Sequence, residues 1–238
     1  MEAFVHNLNT MHSRAGAQVP FSSINFGTDI SPEGRMVTKN YLLSVEAGLG
    51  KNETPIFPIS IFKVKEGVNY NPGDPNYDLF KLSMKVSAKR LFPNFSFMDS
   101  PYNAQYYKGD YNTEVCYMGC RTRVIGNVVD ESKAVTPGRG NLSFTSINLP
   151  RLGIKHGIAL GERDKADMKG FYKELGETME LIRDQLYERF EIQCNKRCYN
   201  FPFLIGQGVW SGGENLKPTD RMRKILKHGT LTIGFIGL

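Results

Sequence analysis

The segment NTEVCYMGCRTRV, residues 112–124, is the stretch around which the rest of the chain is organised. Turn residues lie on both sides of it, and Gly119 frees the backbone for a tight bend at its middle. Cys120 follows directly at this bend, with Arg121 and Arg123 beside it in sequence. A cysteine in such a position is a candidate for chemistry. The alternative is a small buried residue, since free cysteine is among the most buried residue types.

Composition limits the class of protein. The 238 residues could form one domain or two small ones, and 40% hydrophobic with 23% charged residues is typical of a globular protein. The net charge of +6 favours anionic ligands but is spread along the chain. The densest basic cluster, residues 221–227, is interpreted as the solvated face of a short helix. We therefore expect no nucleic-acid partner.

Sorting signals are not apparent in the sequence. The N-terminus lacks a secretory signal, and no apolar run approaches the ~20 residues of a membrane-spanning helix. The four cysteines are therefore expected to be reduced thiols, and the predicted location is cytoplasmic without membrane association.

Helical and strand-like patterns alternate along the chain. The apolar spacing of residues 168–190 predicts the longest helix, capped by Asp164 or Asp167. Ser31 followed by proline predicts another helix that ends near residue 47. Short strands are predicted at residues 19–26, 55–64, 94–98, 142–149 and 201–205, and from residue 231. This alternation indicates a parallel α/β architecture.

Domain boundaries are not evident within the chain. No fixed-period repeat and no linker divides it, so residues 1–238 are predicted to form one domain. Residues 231–238 form an apolar run without a polar cap, and residues 3–8 already resemble the middle of a helix. We therefore expect a piece of a longer protein.

Spacing alone leaves several kinds of site open. Cys116 with Cys120, and Cys194 with Cys198, could form a four-thiolate zinc site, although structural zinc cysteines usually have tighter spacing. The turn at residues 138–141 resembles a phosphate-binding loop but lacks the Gly-Lys-Ser/Thr ending of a P-loop. The residue patterns by themselves predict an α/β domain with a loop cysteine, and no metal site is assigned.

Several runs taken together resemble the anaerobic, class III ribonucleoside-triphosphate reductases, a branch of the glycyl-radical enzymes. The runs are SRAGAQVPFSSINFGT (13–28), TPIFP (54–58), YMGCRT (117–122), GRGNL (138–142), SINLPR (146–151) and HGTL (228–231). They occur in the expected order over nearly the whole chain. The resemblance is therefore far more specific than any single motif.

The resemblance implies a fold. Members of this family have a ten-stranded α/β barrel of two five-stranded halves, with a finger loop through its centre. Residues 1–238 would be part of this catalytic barrel domain. The N-terminal regulatory part and the C-terminal glycyl-radical and zinc parts would lie outside the chain.

The resemblance also implies a reaction. A glycyl radical near the family's C-terminus takes hydrogen from the finger-loop cysteine, which corresponds to Cys120. The resulting thiyl radical removes the 3′ hydrogen of the ribose, the 2′ hydroxyl leaves as water, and formate supplies the electrons. Asn141 corresponds to an asparagine beside the ribose, and Met118 and Gly119 are expected to contact the substrate. The products would be deoxyribonucleoside triphosphates for DNA synthesis.

The expected partners follow from the same resemblance. They are a ribonucleoside triphosphate, a radical-SAM activating enzyme and a second copy of the full-length protein. The ATP and dNTP effectors and the family's zinc ion would bind parts of the protein outside this chain. The isolated chain is therefore expected to be inactive. The alternative is a non-catalytic α/β module, derived from the reductase, that binds an anionic ligand or a partner chain.

Overall fold

The computed structural model describes residues 1–13, 15–119 and 122–237. The chain divides into two compact units. The first unit comprises Met1–Asn127 and Glu131–Thr136, and the second comprises Val128–Asp130 and Pro137–Leu238. The single-domain assignment stays a prediction.

The elements of the first unit alternate between helix and strand before the hairpin. Its helices are α1 Glu2–Thr10, α2 Pro32–Ala47, α3 Tyr77–Arg90 and α4 Pro101–Ala104, and its strands are β1 Ser23–Phe26, β2 Ile59–Val64, β3 Asn94–Phe97, β4 Cys116–Met118 and β5 Thr122–Val124. The second unit contains α5 Leu149–His156, α6 Met168–Cys194, α7 Pro202–Gly206 and α8 Arg223–Leu226, together with β6 Asn141–Asn148 and β7 Thr230–Ile236.

Three separate sheets are formed by the described strands. Strands β1, β2 and β3 form a parallel sheet in that order, and β6 pairs with β7 in parallel. Strands β4 and β5 form an antiparallel hairpin. The predicted α/β class with parallel pairing is confirmed. The described residues show these small sheets and no closed barrel.

The first unit is held together by packing of α2 and α3 on the parallel sheet. Leu42 of α2, Phe62 of β2 and Val86 of α3 are fully buried in one apolar cluster. Burying each such side chain stabilises the fold by about 1.5–3 kcal/mol. At the start of α2, Ser31 Oγ accepts a hydrogen bond from the Gly34 amide at 3.0 Å, so the predicted cap is confirmed.

The second unit is organised by α6. Ile182 and Leu186 are buried against Ile147 of β6, and Gln193 Nε2 donates to the Leu142 carbonyl at 3.2 Å. Of the two predicted caps, the structure selects Asp167, whose carboxylate accepts a hydrogen bond from the main chain of the helix. The apolar face of the helix therefore covers the parallel pair β6–β7.

Two predictions in the second unit are corrected. Residues 201–205 were predicted to form a strand, but α7 is a short helix with Pro202 in its first turn. Proline fits that position because its fixed φ suits a helix and its missing N–H needs no partner there. Likewise, the strand predicted at residues 142–149 ends at Asn148, because Leu149 and Pro150 lie in the first turn of α5.

Candidate functional site

The β4–β5 hairpin contains the residues on which the sequence focused. Cys116 pairs with Val124, and Met118 pairs with Thr122. Met118 ends β4, and Gly119 follows with φ +57°, in the left-handed region, at the bend that the sequence predicts there. Cys120 lies outside the described residues, as does Arg121. The described part of the hairpin therefore stops at Gly119, directly before the candidate thiol, and resumes at Thr122.

Side chains of β1 hold the main chain of β4. Asn25 Nδ2 donates to the Tyr117 carbonyl at 2.8 Å, and Asn25 Oδ1 accepts from the Tyr117 amide at 2.9 Å. Ser23 Oγ accepts from the Gly119 amide at 3.0 Å. Three hydrogen bonds thus connect the hairpin to the parallel sheet next to the bend.

A buried ionic cluster lies at the base of the hairpin. The Glu114 carboxylate, only 3% exposed, contacts Lys63 Nζ at 3.2 Å and Lys65 Nζ at 2.7 Å. Burial alone would lower the pKa of Lys65, but the hydrogen bond and charge of Glu114 outweigh burial and raise this pKa. The cluster therefore fixes the chain entering β4 against the end of β2.

Cys116 belongs to the surroundings of this cluster. Lys63 Nζ lies 3.4 Å from its Sγ, and the Thr136 hydroxyl lies 3.5 Å away. A cavity of about 360 Å³ opens beside the cluster, and its lining residues are Thr28, Asp29, Ile30, Lys63, Tyr111 and Glu114. The sheet strands β1 and β2 end here, where α/β folds commonly bind ligands.

Asn141, the other predicted catalytic residue, begins β6 in the second unit. Its Oδ1 accepts from Thr232 Oγ1 at 3.1 Å and from Thr230 Oγ1 at 3.4 Å. No described residue accepts a hydrogen bond from its Nδ2. The amide oxygen is therefore held by β7, while the amide hydrogens can be offered to a ligand.

The remaining cysteines are core residues. Cys194 and Cys198 are buried in an apolar cluster with Trp210 and Met222. Burial raises the pKa of both thiols, which opposes the thiolate form that binds zinc. Among the described residues, no group of three or more histidines, cysteines or carboxylates is arranged to hold a metal ion. The same residues include no helix long and apolar enough to span a membrane.

Replacing Gly119 by alanine is expected to destabilise the hairpin. A left-handed conformation costs a residue with a Cβ about 1–2 kcal/mol, and the added atom would lie 3.2 Å from Cε1 of Phe21. Gly109→Ala is the matched control, because Gly109 also has a positive φ of +82° but no atom within 4 Å of a built Cβ. Urea unfolding should show the larger loss for Gly119→Ala. An equal or smaller loss would rule out the constraint from Phe21.

Sequence reasoning missed the residues that support the hairpin. Asn25 and Ser23 lie within one of the runs that carry the family resemblance, but nothing in that run reveals that their side chains bond a segment 92 to 96 residues away. Lys63 lies in an apolar strand, where a lysine is an unusual residue. That lysine was the one signal available in the sequence for the buried cluster.

Comparison with known proteins identifies the family of this chain. A family model described as anaerobic ribonucleoside-triphosphate reductase matches residues 1–238. Curated proteins of that name from Haemophilus influenzae and Enterobacteria phage T4 are each 31% identical over 240 residues, and the one from Escherichia coli K12 is 30% identical. The alignments cover 100% of this chain, which spans 31% of the two bacterial relatives and 38% of the phage relative. The chain belongs to the anaerobic ribonucleoside-triphosphate reductase family.

Proposed function

We propose that this chain forms the finger-loop portion of the catalytic domain of a reductase that converts ribonucleoside triphosphates to deoxyribonucleoside triphosphates. The observation that carries the proposal is the anchored hairpin. Gly119 makes the bend, and the main chain immediately before Cys120 is bonded to β1. A radical reaction needs this kind of positioning, because one sulfur atom must meet one C–H bond at contact distance.

Cys120 is the residue to which we assign the hydrogen transfer. One-electron oxidation of its thiol would be supplied by a glycyl radical from a segment outside this chain. An S–H bond then forms as the ribose 3′ C–H bond breaks, and the 2′ hydroxyl leaves with a proton as water. Formate supplies two electrons and is oxidised to carbon dioxide. The hydrogen held by Cys120 then returns to C3′, which regenerates the thiyl radical, so one formate is consumed for each deoxyribonucleotide.

Asn141 is the residue to which we assign ribose binding. Its amide oxygen accepts from Thr232, so Nδ2 is the part of the side chain that can donate to a ribose hydroxyl oxygen. An amide provides this bond without a charge. A carboxylate at the same position would accept a hydrogen bond from a ribose hydroxyl and could not donate one.

The wider assembly is part of the same proposal. We assign residues 1–238 to part of a ten-stranded α/β barrel, whose remaining strands would come from parts of the protein outside this chain. A radical-SAM enzyme would generate the glycyl radical, nucleotide effectors and zinc would bind outside residues 1–238, and the full-length protein would be a homodimer. Closure of the barrel around the hairpin would exclude water and oxygen from the thiyl radical.

The proposal is tested with Asn141→Ala in a full-length reductase that carries this chain. Removing one preorganised donor is expected to lower kcat on the order of 10²-fold. Asn215→Ala is the matched control, because that side-chain amide of the second unit is exposed and bonds its neighbour Glu214. Anaerobic formation of deoxyribonucleotide is the measurement. Unchanged kcat in Asn141→Ala would remove this residue from the site and favour the non-catalytic module.

A further inference from the structure

The alternation of β1 side chains brings Ser23 and Asn25 to the same face of the sheet. Residues two apart on a strand point in the same direction. Their partners Tyr117 and Gly119 are also two apart, so the bonded main-chain groups lie along one edge of β4 and of the residue that follows it. The other edge of β4 is paired with β5. The two side chains therefore occupy the place that a further strand would take beside β4.

Asparagine is the residue type that this geometry requires. The Tyr117 main chain offers one donor and one acceptor. The Asn25 side-chain amide donates to the carbonyl at 2.8 Å and accepts from the main-chain N–H at 2.9 Å. Aspartate could accept from the Tyr117 amide but could not donate to its carbonyl. Ser23 has only to accept a hydrogen bond, because the main-chain group that it contacts is the Gly119 N–H.

The stabilising effect is concentrated on two residues of the hairpin, Tyr117 and Gly119. These bonds are half-buried, and a main-chain donor or acceptor left without a partner there costs more than the bond itself contributes. The bonds also restrict position, since they fix the main chain at residues 117 and 119 independently of the side chains there. The last anchored amide belongs to the residue directly before Cys120.

We propose that Asn25 and Ser23 are positioning residues, whose side chains act as a substitute strand that fixes β4 and thereby sets the place of the Cys120 sulfur. This inference rests on the proposed function. The hydrogen bonds hold the finger loop along the edge of β4 that is not paired with β5. Loss of either side chain would therefore let the bend move. It would remove no group that touches the substrate.

The first readout tests the anchoring itself. Asn25→Ala and Asn25→Asp, made in the full-length reductase, are expected to speed amide hydrogen exchange in residues 112–124 about tenfold, as loss of roughly 1.4 kcal/mol of local stability requires. Asn40→Ala is the matched control, because its amide bonds the Met36 carbonyl on the exposed side of α2. Exchange in residues 112–124 should stay unchanged in this control. Unchanged exchange in both Asn25 variants would overturn the inference.

The second readout tests the consequence for catalysis. Displacement of a reacting group by about 1 Å can cost 10²-fold in rate, so kcat should fall by about that factor while KM stays near the parent value. Ser23→Ala should show the same pattern in weaker form, and Ser23→Thr should restore kcat because it keeps the hydroxyl. If Asn25→Ala does not fold, the comparison of Ser23→Ala with Ser23→Thr still tests the positioning role.

The positioning role of Asn25 and Ser23 and the proposed function of Cys120 can be overturned separately. Faster exchange with unchanged kcat in the Asn25 and Ser23 variants would overturn the positioning role while Cys120→Ala stays inactive. Full turnover in Cys120→Ala would instead overturn the proposed function. In that event the exchange data would still decide whether the two side chains anchor β4.

Discussion

Cys120→Ser in a full-length reductase that carries this chain is expected to abolish deoxyribonucleotide formation, with a loss on the order of 10³-fold or more. Serine keeps the size and polarity of the side chain but not the weak S–H bond. An oxygen-centred radical at this position would be too costly to form from a glycyl radical. Anaerobic turnover with a ribonucleoside triphosphate and formate measures the effect.

The control for this prediction is Cys116→Ser. Cys116 begins β4, four residues before Cys120 in the sequence, and contacts Lys63 and Thr136. A serine hydroxyl can keep both contacts, so turnover should stay close to that of the parent protein. Equal loss of activity in both variants would contradict the assignment of the thiyl radical to Cys120 alone.

Glu114→Ala is expected to lower the free energy of unfolding by about 3–5 kcal/mol. The reason is that Glu114 is the shared partner of two lysines, of which Lys63 is 7% exposed. Removing the carboxylate leaves the Lys63 ammonium group buried beside Cys116 without its counter-ion. Urea unfolding monitored by circular dichroism measures the change.

Two comparisons make this stability prediction specific. Glu177→Ala removes the exposed partner of Lys173 on α6, where a surface ion pair contributes at most about 1 kcal/mol. Adding Lys63→Met to Glu114→Ala removes the stranded charge and should recover part of the lost stability. If Glu114→Ala costs no more than Glu177→Ala, the buried cluster does not support the hairpin in the way described.

The helices were predicted best where local signals agreed with one another. Ser31 and the following proline located the start of α2, and three- and four-residue apolar spacing located α6. Residues 201–205 were misassigned because the periodicity of a five-residue apolar run does not distinguish a short buried helix from a buried strand. Its proline, placed in the first turn of α7, was the better guide.

The candidate site was predicted only in part. Gly119 was recognised from the conformational freedom that a bend requires, and the structure gives it a positive φ. The roles of Asn25, Lys63 and Glu114 depend on contacts between segments that are 49 to 92 residues apart. Spacing within a short segment carries no information about such contacts. The family resemblance, and not composition, directed attention to ribonucleotide chemistry.

The most direct test of the central claim is a competition between ordinary ribonucleoside triphosphate and the same nucleotide carrying deuterium at C3′. The full-length reductase that contains this chain would be activated anaerobically and supplied with formate. The account predicts that the protium substrate is consumed faster and that the remaining substrate becomes enriched in deuterium, because the Cys120 thiyl radical must break the 3′ C–H bond. Equal consumption of the two substrates during deoxyribonucleotide formation would contradict it.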